Sequence, residues 1–249
     1  MVVYLLIMRV QVLSLDNHYA IRIMYTAART CYSKESPIKI FYDSASKSTE
    51  DMQKVIGKAL DAGHLSIAEH YQFNILIEGV SRALSHQLVR HRHCTFSQQS
   101  QRYCKLDNHN CFDYVEPQSI AKNIILRDKF RQEMYSLSEL YNILIENGIE
   151  PEDARSILPN ACTTNLVLTC NLHELMHICN ERLCTCAQLE IRKLFNEIAN
   201  QAIKDIPFMK TYFVPKCEKL GYCNESEKRS CGRKSRKIYT FKLKFSIIK

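Results

Sequence analysis

Apolar residues recur along this chain with two periods, and the changes of period mark its elements. Residues 8–14 alternate apolar and polar side chains and predict a half-buried or edge strand. Residues 17–31 have helical spacing. Ser48-Thr49 followed by Glu50 and Asp51 carries a helix-start signature, and the helix runs to about Ala62 with Gly63 as its stop. Residues 71–79, YQFNILIEG, alternate again and predict a strand. Residues 80–92, VSRALSHQLVRHR, suit a helix with Val80, Leu84, Leu88 and His91 along one side. A loop is expected at Asn108–Asn110. Pro117–Asn147 then carries one long helical pattern, ended by Asn147-Gly148. A short helix opening at Pro151, a strand over 163–169 and helices near 171–183 and 186–204 complete the pattern. No internal repeat is visible.

These elements predict an α/β fold in the α+β sense, with long helices packed around a small mixed sheet. The chain has no GxGxxG and no GxxxxGK[ST], so any bound nucleotide is held without a Rossmann-type or P-loop glycine turn. Composition shifts only after Pro215, which divides the chain into a body of residues 1–215 and a basic, cysteine-containing extension of residues 216–249.

Charge sharpens that division. The chain of 249 residues has a formal net charge of +8. Residues 216–249 hold 11 Lys and Arg against 3 Asp and Glu, whereas residues 1–215 hold 23 of each. The body is therefore neutral, which argues against a general polyanion-binding surface on it. MVVYLLIMRVQVL is interrupted by Arg9, is too short to span a membrane, and reads as a first strand rather than a signal peptide. The 12 irregularly placed cysteines then point to reduced thiols in the cytoplasm.

The densest chemistry lies in RHRHCTFSQQSQRY, residues 90–103. The helix dipole favours cations at a helix C-terminus, which explains one or two of them. It does not explain three arginines interleaved with Ser and Gln. Guanidinium forks bind phosphate bidentately, and Ser97, Gln98, Ser100 and Gln101 have the hydrogen-bonding groups to read a nucleotide's edges and ribose. With 80–92 helical, Gln87 and Arg90 lie three apart on one face.

The spacing Arg90-His91-Arg92, seven residues, Ser100-Gln101-Arg102 resembles the signature of the flavin-dependent thymidylate synthases. AARTCYS at 27–33, GHLSIAEH at 63–70, SHQLVRHR at 85–92, ARSILPNA at 154–161 and NERLCTCAQLEIR at 180–192 resemble that family in the same order. The likeness covers roughly residues 8–215, so the body is expected to be the catalytic domain. It implies reductive methylation of dUMP to dTMP, with FAD as redox cofactor, NADPH as reductant and 5,10-methylenetetrahydrofolate as carbon donor. It also implies a homotetramer with active sites shared between subunits.

By this resemblance dUMP meets Gln87, Arg90, Gln98, Gln99, Ser100, Gln101, Arg102, Arg155 and Arg182. FAD meets Ser66, Arg90, His91, Arg92, Gln98, Asn171, Leu172, His173 and His177, and His70 lies near the flavin or folate. Arg182 is the implied catalytic residue. Uracil C5 is a poor nucleophile, and a fixed cation near N3 and O2 stabilises the negative charge that must develop on the ring. No side chain donates hydride, so a cofactor must. Ser100 reads as a phosphate or sugar ligand rather than a nucleophile, and Cys94 and Cys104 as inert thiols.

Three positions depart from common family residues: Gln98 where many members have Glu, His173 where Arg is common, and Cys186 where some have His. The last two imply weaker FAD contacts. His173 and His177 are four apart without the Glu of an HExxH motif, and no metal site is expected. Cys217, Cys223 and Cys231 lack a CxxC knuckle. Even with Cys162 as a fourth ligand they read as free thiols. Two other classes stay open on the residues alone: a basic nucleic-acid-binding module working through the tail, and a flavin- or nucleotide-binding protein without turnover.

Overall fold

The computed structural model describes residues 8–14, 17–106 and 111–237. Four strands, β1 (Arg9–Ser14), β2 (Gln72–Ser81), β3 (Cys94–Gln98) and β4 (Thr163–Asn171), form one sheet in the order β1-β2-β4-β3. All three ladders are antiparallel, where a mixed sheet was expected. On β2 the side chains of Phe73, Ile75 and Ile77 are buried, and on β4 those of Thr164, Leu166, Leu168 and Cys170. This is the period-2 face that the sequence pattern predicts.

Ten α-helices complete the described fold: α1 (Asn17–Thr30), α2 (Pro37–Asp43), α3 (Thr49–Asp61), α4 (Arg82–Leu88), α5 (Gln118–Ala121), α6 (Ile124–Glu146), α7 (Pro151–Ala154), α8 (Leu172–Arg182), α9 (Leu189–Asp205) and α10 (Lys216–Leu220). The main core gathers Ile21 and Met24 of α1, Met52 and Ile56 of α3, Leu175 and Ile178 of α8, and Ile191, Leu194 and Phe195 of α9 against the inner face of β2 and β4. A smaller core of Phe112, Tyr114, Met134 and Cys162 lies under α6. No helix among the described residues is long and apolar enough to cross a membrane.

Local chemistry sets the element ends. Ser48 accepts the Asp51 amide and caps α3, as its sequence signature predicts. A register shift between Ile77 and Val80 leaves both of them buried although they are three apart. Gly79 supplies the positive φ of 68° inside this bulge, and its amide donates to Asn165 Oδ1 at 3.0 Å. The bulge turns the chain from β2 directly into α4, which is capped by Ser81.

Several expected elements differ. The helix expected over 80–92 is only α4, because Ser81 still belongs to β2 and residues 94–98 form β3. Pairing with β4 captures a polar stretch that local propensity reads as loop. Arg90 therefore lies beyond the C-cap Val89 and does not share a helix face with Gln87. The pattern over 117–147 breaks at Asn123, whose side chain accepts the Ile125 and Leu126 amides and starts α6 separately from α5. Helix α2 and the 3-10 turn Leu65–His70 were not anticipated. The loop expected at Asn108–Asn110 and the start of the first strand at residues 1–7 lie outside the described residues.

A candidate active site at the two ends of an edge strand

Strand β3 is the outer strand of the sheet, and the predicted site residues gather at its two ends. The first group sits at the Cys94 end, where the turn after α4 meets α8. His91 is only 8% exposed, while Arg90, Arg92 and His93 on either side of it are exposed. Arg182, the last residue of α8, donates from Nε to His91 Nε2 at 3.0 Å. That bond requires a lone pair on Nε2, so the proton is on Nδ1, which faces the buried Glu174 carboxylate at 3.8 Å. The ring also meets His177 edge-on, with centroids 6.2 Å apart.

Burial pushes the His91 imidazole down to about 4, and the neighbouring Arg182 and His177 add to the fall. His91 is therefore a neutral acceptor at neutral pH, not the cation its sequence neighbourhood suggests. The Nη groups of Arg182 have no protein partner among the described residues, so the guanidinium is fixed through Nε with its fork available. Because the folded pKa lies below the unfolded value of 6.5, the stability from neutral His91 is full above pH 6.5 and is lost as the pH falls toward about 4. Thermal denaturation of wild type and His91→Gln from pH 7.5 to 4.5 will show wild type losing roughly 2–3 kcal/mol more than the variant. Parallel losses would mean that folding leaves the His91 pKa unshifted.

The FAD-assigned residues continue from this end along α8. Asn171 is the α8 N-cap and accepts the Glu174 amide at 2.8 Å, which leaves its side-chain NH₂ as a donor. Leu172 is fully buried and its amide donates to Tyr71 O at 2.8 Å, so its side chain is core rather than ligand contact. His173 pairs with Glu69 at 3.2 Å and thereby joins α8 to the turn that carries Ser66 and His70. His70 also lines a largely apolar groove of 700 Å³ formed by α1 and α2 with Phe41 and Tyr42.

The second group lies at the Gln98 end of β3, a five-residue strand away, or roughly 15 Å. Gln98 donates to Ser85 Oγ at 2.9 Å and Thr164 Oγ1 at 3.2 Å, so it ties β3 to α4 and β4. Gln99 donates its amide to Asn165 O and accepts from Arg82 Nη2 at 2.8 Å. The Ser100 hydroxyl accepts the Arg102 amide. No carboxylate or imidazole bonds that hydroxyl among the described residues, which supports a binding role over a nucleophilic one. Arg102 holds Glu152 with Nε at 2.9 Å and Nη2 at 2.6 Å, and Arg155 Nε donates to Glu152 O at 3.0 Å. Gln101 is half-buried beside them. Gln87 sits apart and donates to the Gln188 side chain and to Ala83 O.

Arg82 was missed by the sequence reading. It stands in the first turn of α4, where the helix dipole opposes a cation, and that misfit was the available signal. Burial and the nearby Arg155 lower its pKa, the Cys162 thiol acting the other way. Its Nε is buried with no hydrogen-bond partner among the described residues. Arg82 thus adds half-buried positive charge behind the exposed guanidinia of Arg102 and Arg155, an arrangement that suits an anionic ligand. One chain thus brings Arg182 onto His91, the neighbour of Arg90, at one end of β3, and gathers Arg82, Arg102 and Arg155 at the other.

The fold and site define an α+β protein whose cations converge on both ends of an edge strand rather than on a glycine loop. Residues 14–208 match the family model described as thymidylate synthase complementing protein. The flavin-dependent thymidylate synthase of Nitratidesulfovibrio vulgaris is 39% identical over 221 residues, covering 85% of this chain and 89% of that one. The Pyrococcus furiosus enzyme of the same description is 42% identical, covering 76% and 81%, and that of Clostridium tetani 37% identical, covering 88% and 92%. A UMP/dUMP methylase from Streptomyces cacaoi shares the fold at a TM-score of 0.67 and 20% identity, over 83% of this chain and 94% of its own. The chain belongs to the flavin-dependent thymidylate synthase family.

Proposed function

We propose that this protein makes dTMP from dUMP as an FAD-dependent enzyme, with 5,10-methylenetetrahydrofolate as carbon donor and NADPH as reductant. The observation that carries this reading is the Arg182–His91 pair: a guanidinium held through one nitrogen by a neutral, buried imidazole, with its fork left open. A cation fixed in this way stabilises negative charge on a uracil ring without reorganising as the charge develops. The exposed Arg102 and Arg155, backed by the charge of Arg82, would hold the nucleotide phosphate, and Gln99 to Gln101 would line its ribose. Glu152 occupies Arg102 in the free chain, so phosphate binding would exchange one anion for another there.

The donor set also fits FAD. Exposed Arg90 and Arg92 are suited to its pyrophosphate, while His177, His173 and the Asn171 amide offer hydrogen bonds along α8. Bound FAD, once reduced by NADPH, would supply the hydride that completes the methyl group. His91 keeps Arg182 oriented, and Ser85 and Thr164 keep Gln98 in place.

The working form would be a homotetramer in which one chain's Arg182 end faces another chain's Arg102 end. The exposed Ile124, Ile125, Leu126, Leu140 and Ile143 of α6 offer apolar surface for such contacts. The cytoplasm would supply the reductant and the reduced thiols.

The purified protein will be yellow and will release FAD on denaturation. Tritium at C5 of dUMP will pass to water only when NADPH and the folate are both present. Colourless protein that shifts RNA in a salt-dependent way would favour a nucleic-acid module instead. Bound FAD without dTMP would favour a protein that binds flavin without turnover.

A further inference from the structure

The tail cysteines do not stand alone in the fold. Cys217, Cys223 and Cys231 line one pocket of 230 Å³ together with Cys184 and Cys186, which follow α8 in the body. Sγ of Cys184, Sγ of Cys186 and a carboxylate oxygen of Glu225 all lie within 4.8 Å of one another. Among the described residues these are the metal-ligating atoms close enough together to share one ion, and Cys217, Cys223 and Cys231 line the same pocket around them. Cys231 reaches the same place from outside, through Thr185. Cys162 belongs to the separate core under α6, so it is not the fourth ligand considered from spacing.

Ordinary packing does not account for this arrangement. Residues 216–237 contain only Leu220 and Tyr222 as large apolar side chains besides cysteine, and Leu220 is 39% exposed. Their regular structure is the five-residue α10 and one bridge between Cys223 and Arg236. Their ion pairs, Lys216–Glu181 at 3.6 Å and Lys234–Glu218 at 2.9 Å, are largely solvated and contribute little. A segment with so little to bury needs a staple to hold one conformation. Three thiolates and one carboxylate on a divalent ion leave two net negative charges. Lys216, Arg229, Arg233 and Lys234 line the same pocket and would balance them.

We propose that this pocket is a structural site for a thiophilic divalent cation of the zinc class. Its ligands are Cys184 and Cys186 of the body and Glu225 of the tail, with a fourth, a sulfur, from Cys217, Cys223 or Cys231. The body sequence supplies one end of the staple directly after Arg182, so the ion clamps the tail onto the end of α8. Sequence spacing alone reads these residues as free thiols, because the tail lacks a close cysteine pair and its partners lie some thirty residues earlier, beyond α9.

The test is metal analysis of the untagged full-length chain, purified under reducing conditions. About one zinc per chain is expected, with a sulfur shell near ~2.3 Å by X-ray absorption. Cys184→Ser and Cys186→Ser should each lose at least nine-tenths of the metal. One of Cys217→Ser, Cys223→Ser and Cys231→Ser should lose it too, which names the fourth ligand, and Cys31→Ser should keep it. Should the variants fail to fold, wild type stripped of metal and titrated with Co²⁺ alone should develop thiolate charge-transfer absorption. Wild-type protein that carries less than a tenth of a zinc and takes up no Co²⁺ overturns the proposal. An intact mass showing these cysteines already paired as disulfides overturns it equally.

Discussion

Arg182→Ala will lower thymidylate synthesis by roughly 100- to 1,000-fold, the loss that follows removal of one preorganised donor at a developing anion. The protein will still fold and remain yellow. Arg182 is half-buried at the end of α8, with its Nε on His91, and the α8 residues assigned to FAD lie further back along the helix. Removing the guanidinium leaves His91 Nε2 without its donor but buries no unpaired charge, because His91 is neutral. Arg182→Lys will recover little, since an ammonium cannot both hold Nε2 and present a planar fork. Steady-state rates with saturating dUMP, alongside the bound-flavin spectrum, check both halves. A kcat within threefold of wild type would remove Arg182 from the chemistry, and loss of flavin together with activity would make its role structural.

The largest stability effect is expected at a residue the sequence reading passed over. Glu190, in the first turn of α9, accepts from the Ser81 amide and the Ser81 hydroxyl, both at 2.7 Å. The same hydroxyl accepts the Leu84 amide and caps α4. One carboxylate thus fixes the point where β2 becomes α4, and with it the direction in which the chain reaches Arg90 and His91. Two short charge-assisted hydrogen bonds, one of them to a buried main-chain donor, make Glu190→Ala destabilising by roughly 3 kcal/mol. Urea denaturation at pH 7 will show the lowered midpoint, and Glu190→Gln will recover part of it by keeping an acceptor. An unchanged midpoint for Glu190→Ala would show that water replaces the carboxylate at no cost.

What could be read from the sequence follows from where the physics is local. The alternation of Phe73, Ile75 and Ile77, the Ser48 cap and the spacing along α8 and α9 are short-range patterns, and each produced the expected element. Strand β3 was missed because Cys94–Gln98 earns its conformation from β4, some seventy residues away, and not from its own polar side chains. The motif identified the family but not the electrostatics within it. His91 sits among arginines and looks like a fourth cation, yet burial makes it the neutral member that positions Arg182. Glu174, Glu190 and Arg82 carried only ambiguous signals, since an acid or base in a helix's first turn has several ordinary explanations. The tail cysteines were legible as residues but not as a group, because only the fold returns them to Cys184.

Strand β3 also sets a ruler. Its five residues, roughly 15 Å from end to end, separate the turn that carries His91 from the loop that carries Arg102. In the proposed homotetramer each chain would give one half of a site to one neighbour and the other half to a second. Output from such a divided catalyst would scale with how many copies have met rather than with how many have folded, so dilution alone would switch it off while every chain keeps its native shape.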